Sequence, residues 1–161
     1  MNNLTTKDLD LLLTLHPHGW STCWLWIEEK SYQLVISHVF GEPWEEWMQA
    51  LARLIKGQQE TSCYWYGEPV GHKWNFQLQQ QEVEINLEQF QEAHWEEPEE
   101  LEELVSFQLQ FSSFLTLAYY QLKKTAQLLK DPAFAAHRNG DFPFAYFKQW
   151  EQEVLAYLES V

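Results

Sequence analysis

Apolar positions along this chain recur at two spacings, and the switches between them mark out the elements. Thr5 to Leu15 reads as a short helix. Thr5 or Thr6 can cap it, Asp8 and Asp10 suit the positive end of a helix dipole, and Pro17 and Gly19 stop it. From Trp20 the period becomes two. Cys23, Leu25 and Ile27 fall on one side, with Trp20, Trp24 and Trp26 on the other. The polar interruption 28–31 has hairpin length, and a second strand spans Tyr32 to Phe40. Gly41-Glu42-Pro43 ends it. Pro43 then opens a helix over 44–56, with Glu45 and Glu46 in its first turn and a stripe of Trp44, Trp47, Met48, Leu51, Leu54 and Ile55.

Strands follow at 61–66, 72–80 and 82–90. Glu68-Pro69-Val70-Gly71 between the first two matches a type I turn, which brings Trp65 and Trp74 close on adjacent strands. In 82–90, Val83, Ile85 and Leu87 alternate with Glu82, Glu84, Asn86 and Glu88, so one face is buried and one is wet. After an acidic stretch, 104–111 alternates again. Its Phe107 and Phe111 with Phe114 and Ala118 also satisfy helical spacing, and the switch near residue 112 favours a strand followed by a helix over 113–130. A last helix covers 144–158. Consecutive strands with short links point to one α+β domain over residues 1–161. In it an antiparallel sheet of five or six strands packs one face against the helices 44–56, 113–130 and 144–158.

Composition narrows the class. The 161 residues include nine Trp, seven Tyr and ten Phe, enough apolar mass for a sizeable core. The formal net charge is −14, which opposes sequence-independent contact with a nucleic-acid backbone. No apolar run reaches membrane-spanning length, and the Met1-Asn2-Asn3-Leu4 start lacks signal-peptide character, so the expectation is a cytoplasmic protein away from membranes.

Charge is concentrated. No Lys or Arg occurs between Trp74 and Leu122, and residues 82–103 hold ten glutamates. Such a run serves either as a solvated connection or as a field that steers a basic partner. On the second reading Glu96, Glu97, Glu99, Glu100, Glu102 and Glu103 attract the partner, and Trp95 among them anchors it. Aromatic residues gather in the strands. They fill the core, or Trp24, Trp26, Trp65 and Trp74 line a small-molecule cleft.

Catalytic signatures are missing: there is no GxSxG, P-loop, GxGxxG or HExxH. Cys23 and Cys63 lack metal-ligand spacing and read as buried thiols. His16-Pro17-His18 has no matched ligands nearby, so neither a metal nor another cofactor is expected. The loop His137-Arg138-Asn139-Gly140-Asp141 offers a base and an anion clamp, yet Asn-Gly makes it an ordinary turn.

The run Tyr64-Trp65-Tyr66-Gly67-Glu68-Pro69-Val70-Gly71-His72-Lys73-Trp74 resembles a motif of small uncharacterised bacterial α+β domains: an aromatic strand, a Glu-Pro-x-Gly turn and a Trp-bearing strand. The resemblance implies a bacterial cytoplasmic domain and no particular reaction. The acidic single-domain design is also similar, in type and not in motif, to immunity proteins that block basic toxins. The leading expectation is a non-enzymatic protein that binds a basic protein, as an immunity or antitoxin-type inhibitor does. The alternative is a small-molecule-binding domain with an aromatic cleft and weak hydrolytic capacity.

Overall fold

The computed structural model describes residues 4–5, 8–91 and 98–161. The strands are β1 (Leu4–Thr5), β2 (Leu9–His16), β3 (Trp20–Ile27), β4 (Lys30–Ser37), β5 (Glu60–Trp65), β6 (Gly71–Gln79), β7 (Glu82–Phe90) and β8 (Glu102–Gln110). The helices are α1 (Pro43–Ile55), α2 (Phe111–Leu128), the single-turn α3 (Pro132–Ala135) and α4 (Phe144–Ser160). The class is α+β, but the strands form two sheets, not one. A three-stranded antiparallel sheet runs β2-β3-β4, and a five-stranded sheet runs β1-β8-β7-β6-β5, with β1 parallel to β8 and the other pairs antiparallel.

The segment expected to open the chain as a helix is strand β2. Leu9, Leu11, Leu13 and Leu15 turn inward while Asp10, Leu12 and Thr14 turn outward, each paired residue by residue with β3. An isolated short helix is marginal, and the ladder to β3 satisfies the backbone of this segment instead. Division into two sheets has an equally plain cause. Helix α1 intervenes after β4, and β5 then pairs with β6 rather than with β4. One backbone hydrogen bond, Ser37 N–H to the Tyr66 carbonyl at 2.8 Å, joins the end of β4 to the residue after β5.

The connection between β5 and β6 spans 66–70, the expected length shifted by one residue. Its Glu68–Pro69 peptide is cis, a form open to the tertiary amide of proline, and residues 68–69 form a bend rather than a hydrogen-bonded turn. Trp65 and Trp74 nonetheless meet, with ring centroids 5.1 Å apart. The strand over 104–111 and the helix after it both form, with the boundary at Gln110/Phe111.

Inward faces of both sheets and the apolar sides of α1, α2 and α4 share one core. At its centre Trp47 of α1 lies 5.4 Å from Trp65 and 5.5 Å from Trp74, and Phe114 of α2 closes on Trp47 at 6.0 Å and Trp74 at 6.1 Å. Tilted and edge-on rings at these separations add attraction beyond burial alone. The buried Trp65 Nε1–H donates to the Pro43 carbonyl at 2.9 Å, tying β5 to the first residue of α1.

The outer edge of β2 is closed by side chains. Leu11 N–H donates to Asp10 Oδ1 at 2.8 Å, and Leu13 N–H donates to Gln121 Oε1 of α2 at 3.2 Å. The Leu15 carbonyl accepts from Arg138 Nε at 3.0 Å. Groups that would otherwise offer a template for another strand are thus occupied.

Candidate functional site

The inward faces of β5 to β8 are mainly apolar, with Thr61 and His72 buried among them, and their outward faces carry polar residues in register. Four strands align these outward residues into rungs. Glu60, Gln77, Glu84 and Gln108 make one, Ser62, Asn75, Asn86 and Ser106 the next, and Tyr64, Lys73, Glu88 and Glu103 a third; Gln79, Glu82 and Gln110 extend the array beyond the first. The offset at Leu87/Glu88 is a bulge that brings Glu103 onto this face.

Amides hold the carboxylates in place. Gln77 Nε2 donates to Glu60 at 2.7 Å, Asn75 Nδ2 to Glu88 at 2.7 Å, Asn86 Nδ2 to Glu103 at 2.5 Å and Gln108 Nε2 to Glu82 at 2.5 Å. A neutral amide orients a carboxylate without cancelling its charge. Among the rung residues Lys73 is the single base against Glu60, Glu82, Glu84, Glu88 and Glu103. Its ammonium lies 5.3 Å from the centre of the Tyr64 ring. Near Tyr64 a satellite aromatic cluster ends the face: Tyr66 stacks on Tyr64 at 5.7 Å, and the buried Phe90 meets Tyr66 at 5.7 Å. Toward β5 the face dips into an open trough of about 570 Å³ whose lining includes Arg53, Glu60, Ser62, Asn75, Glu84 and Asn86. Arg53 reaches over from α1 to the Ser62 carbonyl at 3.4 Å.

Of the acidic run expected to meet a partner, Glu103 reaches this face, while Glu102, in register with Gln89 and His72, lies on the other side of its strand. Glu99 and Glu100 are exposed, and Glu102 and Glu103 are exposed residues of β8 itself. Trp95, Glu96 and Glu97 lie outside the described residues. Asn75 and Gln77 alternate with Trp74, Phe76 and Leu78, a wet-side signal of their own, whereas Glu60 carries none in its segment. The wet side of 82–90 was the most legible part, and strand pairing supplies the rest.

The four tryptophans proposed to line a cleft do not share one. Trp65 and Trp74 are sealed in the core, where packing against Trp47 and Phe114 excludes any ligand. Trp24 and Trp26 stand on the outer face of the other sheet, 42% and 49% exposed.

One arrangement has the residue types of a nucleophilic triad. Ser21 Oγ and His38 Nε2 are 2.8 Å apart, and Asp141 acts on His38 electrostatically. Ser21 is fully buried, and His38 Nδ1 makes no hydrogen bond, so the acid does not orient the ring and the hydroxyl meets no substrate. Burial holds His38 below the ordinary histidine value despite Asp141. The 137–141 loop is structural: Arg138 also donates to the Phe134 carbonyl at 3.0 Å, and His18 N–H donates to the His137 carbonyl at 3.0 Å. Burial pushes both thiols up, which makes them poor nucleophiles. Among the described residues no group of three or more His, Cys, Asp or Glu is arranged to hold a metal ion, and no helix is long and apolar enough to cross a membrane.

No protein-family model, curated protein or solved structure matches this chain.

Proposed function

We propose that the chain is a non-catalytic binding protein for a basic protein, and that the outward face of β5–β8 with the adjoining Glu99–Glu103 run is its contact surface. The observation that carries this reading is the set of carboxylates clamped by amide donors on a rigid four-strand platform. Side chains already held in place lose little rotamer freedom on association, and their summed charge speeds encounter with a cationic surface. The half-buried Tyr64 and Tyr66 supply aromatic contact at one end. An inhibitor of a basic toxin, in the manner of an immunity protein, is the concrete form of this proposal.

The test replaces Glu82, Glu84, Glu88 and Glu103 together by Gln. Partners captured by the wild-type chain are identified, and their association and dissociation rates are measured with both chains at low and high salt. The expected result is a basic partner whose association slows by about tenfold or more with the variant and loses its salt dependence, at nearly constant dissociation rate. Equal association rates for both chains would remove the platform from the contact and make its charge a matter of solubility.

A further inference from the structure

We propose that the outer face of the three-stranded sheet carries a subsite for a single arginine side chain of a protein partner. Strand β3 sets Trp24 and Trp26 two residues apart on this face. In register, β2 places Leu12 beside Trp24 and Asp10 beside Trp26, while β4 places Gln33 beside Trp24 and Ser31 beside Trp26. Leu12 and Val35 are 45% and 43% exposed, so four large apolar side chains meet water on one small sheet face. A contiguous apolar patch rimmed by polar residues is the kind of surface that contact sites use.

Its shape limits the occupant. A recess of about 160 Å³ lies among Asp10, Leu12, Trp24, Trp26 and Ser31. Cofactors and drug-sized ligands take roughly 300–1,000 Å³, whereas this recess suits one long side chain. Charge limits it further. Asp10 stands at the rim, fixed by the Leu11 N–H it accepts, and a carboxylate has further acceptor positions to offer. Asp8, Glu28 and Glu29 are exposed at the same end of the sheet, and Glu28 N–H donates to the Asp8 carbonyl at 2.9 Å. Lys30 pairs with Ile27 and so belongs to the opposite side of β4. A second copy of this chain, at a net charge of −14, would bring like charges together here. A planar guanidinium satisfies both demands, stacking on an indole and donating to a carboxylate, which an ammonium does less well. This site is on a different sheet from the carboxylate platform and does not rest on that reading.

The experiment titrates the full chain, labelled with nitrogen-15, with a short Gly/Ser peptide bearing one arginine. The same peptide with citrulline, which is uncharged and similar in shape, serves as control. Indole N–H signals are followed by NMR and assigned with Trp24→Thr and Trp26→Thr, and with Trp24→Phe should a threonine variant not fold. The arginine peptide is expected to shift the Trp24 and Trp26 signals saturably, and the citrulline peptide to leave them in place. Asp10→Asn, which keeps an acceptor for Leu11 N–H, should weaken binding about fivefold. The variant with Gln at 82, 84, 88 and 103 should bind this peptide as the wild type does. Equal shifts with citrulline, shifts confined to other indoles, undiminished binding by Asp10→Asn, or binding that disappears with the platform glutamates would each overturn the proposal.

Discussion

Gly71 opens β6 opposite Phe90, and an alanine there tests whether lack of space, rather than backbone conformation, demands glycine. Its φ is not in the left-handed region, so the usual conformational argument does not apply. A Cβ built at Gly71 would stand 2.5 Å from Phe90 Cε2 and 2.8 Å from the Trp65 carbonyl oxygen. Ordinary contact begins at 3.4 Å, so the ring must retreat by about 1 Å. Phe90 is 1% exposed and held by Tyr64 and Tyr66, and the carbonyl belongs to the neighbouring strand, so neither yields freely. Overpacking of this kind costs about 1–3 kcal/mol, offset by about 0.5–1 kcal/mol because alanine loses less entropy than glycine on folding. Gly71→Ala should therefore destabilise by about 1.5 kcal/mol, and lower Tm by about 3–6 °C in a chain this long. Phe90→Ala alone should cost about 3 kcal/mol through its cavity. In the double variant the new methyl enters that cavity, so the combined loss should fall short of the sum by about 1 kcal/mol. Equilibrium urea unfolding of the four proteins, followed by tryptophan fluorescence, measures each quantity. A neutral Gly71→Ala, or strict additivity with Phe90→Ala, would refute the steric argument.

Other groups give further tests. Burial on the inner side of β6 holds His72 at about 4, below its ordinary 6.5, against a Gln89 hydrogen bond that acts the other way. The unfolded chain therefore binds the proton first, and stability should fall by about 3 kcal/mol as pH drops from 6.5 to 4; His72→Leu should flatten that limb in urea titrations, and an unchanged limb would rule His72 out. The hydrogen bond from Lys123, at 2.8 Å, and then that from the Tyr119 hydroxyl, at 2.7 Å, hold Glu151 below the usual carboxylate value. Its stabilisation is full above the unfolded pKa and is lost as pH falls through the folded one, so Glu151→Gln should cost about 1 kcal/mol at neutral pH and nothing in strong acid. Trp65 and Trp74 are equally buried, but Trp65 Nε1 has a hydrogen-bond partner and Trp74 Nε1 has none. Trp65→Phe should exceed Trp74→Phe in cost by about 1–2 kcal/mol in thermal unfolding, and equal costs would contradict the value assigned to the Pro43 contact.

Local alternation was a sound guide wherever one face was plainly polar. Glu82 to Glu88 revealed β7, and Val105 to Leu109 revealed β8 although Phe107, Phe111, Phe114 and Ala118 also suit a helix. It misled where both faces were apolar. Leu11-Leu12-Leu13 fits either period, and only the distant ladder to β3 resolves it. Trp24 and Trp65 look alike in sequence, each alternating within an aromatic strand. Their opposite fates depend on which side of each strand the helices cover, a tertiary matter. The carboxylate platform was half legible for the same reason. Glu84 and Glu88 announce a wet face and Asn75 alternates with Trp74 and Phe76, but that these form one surface with Glu60 follows only from pairing across three strands.

The closed edge of β2 also has a history during synthesis. Strands β2, β3 and β4 all lie within the first forty residues, whereas Gln121 lies 108 residues beyond Leu13 and Arg138 lies 123 residues beyond Leu15. At ribosomal speeds of roughly 5–20 residues per second, the two closing side chains emerge about 5–25 s after the strand they protect. Through that interval Leu13 N–H and the Leu15 carbonyl on the β2 edge lack these partners, next to a face bearing Leu12 and Trp24. Neighbouring chains on one polysome are then the nearest strands available to it. Slow translation between residues 40 and 138 lengthens this exposure, and anything that occupies the edge early, a chaperone included, does the work of Gln121 and Arg138 before they exist.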